Sequence, residues 1–477
     1  MQTLLNEIVA IVGRTYVLTE GDLSAWEQDW RKRTHGKALA VVRPANTDEV
    51  ARVVKACANY LSLYPGSGLS IVPQGGNTGL VVGSTPDGSG RQLVLSLQRL
   101  NTIRTMDAAN LTVTVEAGCV LQAVQQAARA AGLLFPLSLA AEGSCTIGGN
   151  LGSNAGGTQV VRFGNARELC LGLEVVTPQG DIWPGLSGLR KDNTGYDLRH
   201  LYIGAEGTLG VITAATMKLY PLPAAQLTAW AAVPSLDAAV ELLGLAHRHL
   251  GAGLTGFEVM GQFALSLVTK HFAQMRVPLY QEWPFCVLLE NSDHESEAHA
   301  RTRFEALLEN AMATGCVTGA VLAENLTQAK NLWLMRESIA LAQAEEGLNI
   351  KHDISIAVSA IPEFVRTTDA RLEEAIPGVR LVNFGHLGDG NLHYNVQAPL
   401  GMDAAHFLCE QEPNVNHIVF DAVQRFGGSI SAEHGIGSLK VDHLVHYKSA
   451  VALQSMRAIK SALDPQNLMN PGRVVIP

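Results

Sequence analysis

The sequence has no C-x-x-C pair among its seven cysteines (57, 119, 145, 170, 286, 316 and 409). That absence removes the usual spacing of a thioredoxin-like redox pair or a zinc ribbon. The count is odd and the neighbours are mostly apolar or small, so buried, reduced thiols are expected, and with them a cytoplasmic setting. No apolar stretch reaches about 18 uninterrupted residues, the length a membrane-spanning helix takes. No basic run stands out either. Lys+Arg 35 against Asp+Glu 44 leaves a net charge of −9, which argues against nucleic acid as a partner. The opening MQTLLNEIVAIVGRTYVLTE lacks a basic region before its apolar part and carries acids early. It reads as a first helix rather than a signal or transit peptide. Internal repeats and low-complexity tracts are also missing.

What is present fits a soluble globular protein of two or three domains: 477 residues, 47% hydrophobic and 17% charged. Residues 1 to 220 alternate short Val/Leu-rich strands (38–44, 69–75, 111–118, 171–183) with helical patterns at 47–63 and 120–132. At 221-PLPAAQ-226 the texture changes, and Pro221 and Pro223 mark a boundary. Beyond it, longer helices (235–250, 296–313, 327–346, 361–375) separate strands (286–290, 351–358, 379–385, 392–397). That order predicts an α+β domain with an antiparallel sheet. The tail, 464-DPQNLMNPGRVVIP-477, is loop-like.

The 46 glycines cluster. In 73-PQGGNTGL-80, Gly75, Gly76 and Gly79 follow a strand, so the loop is either a tight turn or a nest of backbone N–H groups for an anion. No Lys-Ser/Thr follows, so it is not a P-loop. The run 142-EGSCTIGGNLGSNAGG-157 holds six glycines. Glycine is entropically costly to order, so close approach of backbone to a large flat or phosphorylated ligand explains it better than a simple connection. A third cluster is 204-GAEGTLGVIT-213. The literal G-x-G-x-x-G at 251-GAGLTG-256 follows a helix and precedes a strand, the reverse of a dinucleotide site, and reads as a helix cap and turn.

The stretch 383-NFGHLGDGNLHYN-395 places His386 and His393 seven residues apart. Glycines 385, 388 and 390 oppose a helix, and Asp389-Gly390 signals a two-residue hairpin turn. A turn centred there sets His386 opposite His393, with Cβ atoms roughly 4.5–5.5 Å apart. Two readings stay open: a Gly-rich turn with solvated histidines, or half a metal site. Glu433, in 427-GGSISAEHGIGSLK-440, could complete a His₂Glu set with open positions, or be a solvated loop acid. Arg336, on the helical pattern 327–346, and Lys351 are either snorkelling side chains or a clamp for a carboxylate.

PQGGNTG, GSCTIGGNLGSNAGG, RKDNTGYDLRHLYIGAEGTLGVIT (190–213), GHLGDGNLH, AEHGIG and NPG (470–472) occur in this order. Together they resemble the FAD-dependent D-2-hydroxyacid dehydrogenases of the vanillyl-alcohol oxidase type. The resemblance runs from about Pro44 to the end. It is nearest the D-2-hydroxyglutarate-oxidising members, with D-lactate dehydrogenases as near relatives. It implies an α+β fold: an FAD-binding domain of two α+β subdomains at 1–222, a cap domain with a helix-flanked antiparallel sheet at 223–455, and a segment at 456–477 returning to the FAD domain. Pro73, Gly75, Gly76, Asn77, Thr78 and Gly79 would wrap the FAD pyrophosphate. Gly143, Ser144, Gly148, Gly149, Asn150, Asn154, Gly156 and Gly157 would line the rest of this non-covalent cofactor, with Ile212 and Asn470 closing it.

By the same resemblance His386, His393 and Glu433 would bind a divalent metal, zinc in most members, and His434 would be the general base. Arg336 and Lys351 match positions holding the substrate's distal carboxylate, and Asn395 one near the reacting end. Ala340 departs from the pattern, which has threonine four residues after the arginine. Losing one hydroxyl contact costs about 0.5–1.5 kcal/mol. The implied reaction is oxidation of a D-2-hydroxy acid, D-2-hydroxyglutarate or a similar diacid, to the 2-oxo acid. Hydride goes to FAD and electrons go on to a separate acceptor, such as an electron-transfer flavoprotein or a quinone. A homodimer is the assembly considered. The alternatives are a D-lactate dehydrogenase, a glycolate-oxidase-like FAD subunit awaiting an iron–sulfur partner, and a zinc hydrolase built on the two histidines and Glu433.

Overall fold

A computed structural model describes residues 1–477, which form two compact units. The first comprises Met1–Gly156, Gly164–Leu222 and Glu433–Pro477; the second comprises Gly157–Phe163 and Pro223–Ala432. The chain therefore re-enters the first unit at Glu433, earlier than the expected 456. No helix is long and apolar enough to cross a membrane.

The first unit holds a four-stranded and a five-stranded sheet. In the four-stranded one, Ala38–Val42 and Ser70–Gln74 flank Gln92–Ser96 in parallel. Helix Thr47–Leu63 carries the chain from Ala38–Val42 to the parallel strand Ser70–Gln74, as parallel strands require a crossover. Asn46 starts that helix: its side chain accepts the Glu49 amide at 2.9 Å, with Asp48 and Glu49 favourably placed in the first turn. Strand Gln92–Ser96 is buried along its whole length, as expected for a parallel strand covered on both faces. The tail joins this sheet, where Met469 bridges Ile71 in parallel. The five-stranded sheet is antiparallel, in the order Ile103–Asp107, Thr112–Glu116, Val211–Lys218, Cys170–Val176, Ile182–Gly185. The single strand expected at 171–183 is thus a hairpin.

The second unit is built on an eight-stranded antiparallel sheet. Its centre runs Phe285–Asp293, Leu254–Gly261, Arg380–His386, Asn391–Gln397. Asp353–Ser355 also pairs with Asn391–Gln397. Helices Leu236–Leu250, Glu297–Ala313 and Ile361–Ala375 follow the predicted patterns. The pattern at 327–346 does not give one helix: it breaks at Ser338 into Leu326–Glu337 and Ile339–Glu346. Gly251 caps Leu236–Leu250 and leads into strand Leu254–Gly261, so 251–256 is the cap and turn its order indicated.

Six of the seven cysteines are buried and Cys409 is exposed; none is bridged. Burial pushes the Cys57, Cys170 and Cys286 thiols up to about 12.

Candidate active site

In the first unit, the loops after strand Ser70–Gln74 and around Thr146 press together. A Cβ at Gly76 would lie 2.2 Å from the Ser144 carbonyl oxygen, so only glycine allows this approach. The walls enclose a cavity of about 310 Å³, within the range of ligand sites. Pro73, Gly75, Gly76, Asn77, Thr78, Gly79, Gly148, Gly149, Asn150 and Ile212 line it. Asn150 is buried, and its Nδ2 is a donor without a partner. A buried unmet donor is costly, so a ligand acceptor at this wall would satisfy it.

Glu433 and His434 line the same cavity. Glu206, from the third glycine cluster, holds their loop. Its Oε1 accepts the Ile436 amide at 2.7 Å and its Oε2 the Gly437 amide at 2.8 Å. Burial pushes the Glu206 carboxyl up, while the two amides pull it down. Asn470 ties the walls from behind, donating to the carbonyls of Gly83 at 2.9 Å and Glu206 at 2.7 Å. Gly143, Ser144, Asn154 and Gly156 also stand outside the cavity wall, and Gly157 belongs to the second unit. Asn154 takes a left-handed conformation at φ 55 and accepts the Arg167 amide at 2.9 Å.

In the second unit, strand pairing brings Glu258, His386, His393 and Asp353 to one sheet face. The hairpin register differs from the expected one: His386 pairs with Asn391, and His393 with Phe384. A short 3-10 turn, Leu387–Asp389, replaces the two-residue turn, and Gly390 follows at φ 84. The shift is two residues. Side chains alternate with period two, so both histidines keep the same face, now as diagonal neighbours. Their ring centroids are 5.4 Å apart.

Val259 pairs with Gly385 and Met260 with Phe384; continuing that register sets Glu258 opposite His386. Glu258 Oε1 lies 2.7 Å from His386 Nδ1. Its Oε2 accepts from Arg336 Nε at 2.8 Å, with Nη2 at 2.7 Å. Burial penalises this carboxylate, but the His386 and Arg336 charges outweigh that and hold it at about 2. On the other side Asp353 pairs with His393, its Oδ1 3.9 Å from His393 Nδ1.

Residues 222–474 match the family described as FAD linked oxidases, C-terminal domain. Residues 38–184 match the FAD binding domain family. A Xanthomonas citri protein named D-2-hydroxyglutarate dehydrogenase is 40% identical over 457 residues, covering 95% of this chain and 92% of that protein. A mitochondrial Bos taurus protein of the same name is 38% identical over 447 residues, covering 94% and 78%. The solved structure of p-cresol methylhydroxylase with substrate bound superposes with a TM-score of 0.77 at 16% identity, covering 100% of this chain and 96% of that one; that likeness speaks for the fold alone.

The chain belongs to the FAD-dependent D-2-hydroxyacid dehydrogenases of the vanillyl-alcohol oxidase type.

This dehydrogenase binds FAD, and the glycine-walled cavity with its unmet Asn150 donor suits such a group. Three acids escaped the sequence reading: Glu206, Glu258 and Asp353. Glu258 left a faint signal, a lone charge in the apolar strand 256-GFEVMG-261. Arg336 is not simply turned to an incoming carboxylate, because Nε and Nη2 are engaged by Glu258 and its guanidinium lies 4.9 Å from the Phe384 ring centroid. Ala340, beyond the break at Ser338, is exposed whereas Arg336 is buried. Asn395 is buried with both amide functions engaged: Oδ1 accepts the His352 amide at 3.1 Å, and Nδ2 donates to Gln343 at 2.9 Å.

Proposed function

We propose that this dehydrogenase oxidises D-2-hydroxyglutarate or a similar diacid to the 2-oxo acid, with His434 as the general base. The observation that carries this is His434 on the wall of the glycine-lined cavity. His386, His393 and Glu433 are the proposed ligands of a divalent metal. Two imidazoles and a carboxylate suit zinc and leave positions open for substrate oxygens. The glycine-walled cavity would hold FAD, which would supply a hydride acceptor, and His386, His393 and Glu433 would hold a metal that would supply Lewis-acid stabilisation of charge on the substrate oxygen.

The chain's own part is positioning and proton transfer. Imidazole has a pKa suited to taking the substrate's hydroxyl proton, and His434 is the group assigned to it. Arg336 and Lys351 receive the distal carboxylate, and Asn395, tied to His352 and Gln343, is assigned to the reacting end. The name carried by the Xanthomonas citri and Bos taurus relatives supports the diacid. Electrons then pass to a separate acceptor, an electron-transfer flavoprotein or a quinone. The buried, unbridged thiols support a reducing compartment such as the cytoplasm.

One observation favours a shorter substrate. Glu258 offsets the Arg336 charge, so D-lactate is the second reading. An anaerobic panel of D-2-hydroxyglutarate, D-malate and D-lactate, followed by bleaching of the flavin absorbance, separates the two. Diacids are expected to bleach it fastest. Bleaching by D-lactate alone would replace the first reading with the second, and bleaching by none would remove both.

A further inference from the structure

Glu258 is wholly buried, and its two oxygens go to different partners: Oε1 to His386 Nδ1, Oε2 to Arg336. A buried ion pair of this kind is weak evidence of a gain in stability, since well-packed apolar residues often do as well. Orientation is the better explanation. An ionised carboxylate only accepts, so the ring nitrogen facing it must carry the hydrogen. His386 Nδ1 therefore carries a hydrogen, and a metal held by this ring would sit on Nε2. Metal-ligating histidines are commonly fixed in this way by a carboxylate on the other nitrogen. His386 is also fixed laterally by strand pairing to Asn391.

We propose that Glu258 is a positioning residue that sets two groups at once, turning His386 Nε2 to the metal and holding Arg336 in place for the substrate's carboxylate. The inference rests on the metal reading above. Glutamine at 258 would keep the volume but offer an NH₂ to His386 Nδ1. The ring would then place its hydrogen on Nε2 and lose its lone pair there. Outer partners of this type change metal affinity by roughly 10–100-fold.

The test compares wild type, Glu258→Gln, His386→Ala and Arg336→Met, each purified with its flavin and titrated with zinc against a competing chelator. Zinc binding is expected to weaken roughly 10–100-fold in Glu258→Gln, to be lost in His386→Ala, and to persist in Arg336→Met. Flavin content should stay at the wild-type level throughout. Unchanged zinc affinity in Glu258→Gln beside a loss in His386→Ala overturns the inference and leaves the metal reading standing. A wild type that binds no divalent metal overturns both. A measurement without mutation of Glu258 covers misfolding: ¹⁵N spectra of histidine-labelled, zinc-loaded wild type, with His386 assigned by its absence in His386→Ala. A ring carrying hydrogen on Nδ1 and zinc on Nε2 supports the inference, and the reverse arrangement overturns it.

Discussion

His386 and His393 are diagonal neighbours on one sheet face, with ring planes at 78° and centroids 5.4 Å apart. Their closeness does not come from direct pairing, since each faces another residue across the hairpin. It comes from parity: a two-residue change of register moves the rings along the strand without turning either to the opposite face.

Replacing His434 by alanine should leave FAD bound and remove most turnover. General bases contribute roughly a hundred-fold to ten-thousand-fold. Glu433→Ala should likewise keep the flavin, because the glycine walls are untouched. Stopped-flow reduction of the flavin by D-2-hydroxyglutarate reads the rate directly. Wild-type rates in both variants would remove the proposed roles of this loop.

Glu206→Gln should disturb the same loop from the cavity side. One of the two amides of Ile436 and Gly437 would face an NH₂ instead of an acceptor. An unmet buried donor costs about 1–3 kcal/mol, so flavin reduction should slow by about ten-fold or more as His434 loses its position. The rate should recover partly in Glu206→Asp, which keeps two acceptors.

Asp369 accepts a hydrogen bond from the buried Tyr394 hydroxyl. Burial raises the Asp369 carboxyl to about 6, against the lowering effect of Tyr394 and Asn383. The folded pKa lies above the unfolded one, so folding favours the protonated form. This contribution is complete below pH 3.8 and is lost as pH rises through about 6. Its size is at most ~3 kcal/mol. Denaturant midpoints measured from pH 4 to 7 should show this fall in wild type and a flatter profile in Asp369→Asn.

Lys460 is buried and donates to Asp464 at 2.5 Å and to the carbonyls of Thr208 and Met469, each at 2.8 Å. Asp464 in turn accepts the amides of Leu468 and Met469 at 3.0 and 2.8 Å. Asp464→Asn leaves the ammonium without its counter-charge, which should destabilise by about 3–5 kcal/mol. Faster proteolysis of the C-terminal tail than in wild type is the expected readout.

Much of the fold was legible because its signals are local. Helix Thr47–Leu63 announces itself through Asn46, two acids and apolar residues at helical spacing. The break at Ser338 was not legible, since 327–346 has no glycine or proline and nothing local marks the change. The glycine clusters pointed to the cavity because close backbone approach needs glycine wherever it occurs. Only packing decides that the Asn470 amide donates to two protein carbonyls while its Oδ1 stays buried without a partner, and that Asn154 accepts the Arg167 amide.

By itself the sequence determined where backbone must come close, which nitrogens and carboxylates were available, and that His386 and His393 share a face, because alternation along a strand is a local property. Only the tertiary structure decided the hairpin register, the pairing of one buried carboxylate with both Arg336 and His386, and the clamping of the His434 loop by Glu206. Those contacts join residues 78, 128 and 230 positions apart, and no local preference encodes which distant partner a buried charge will meet.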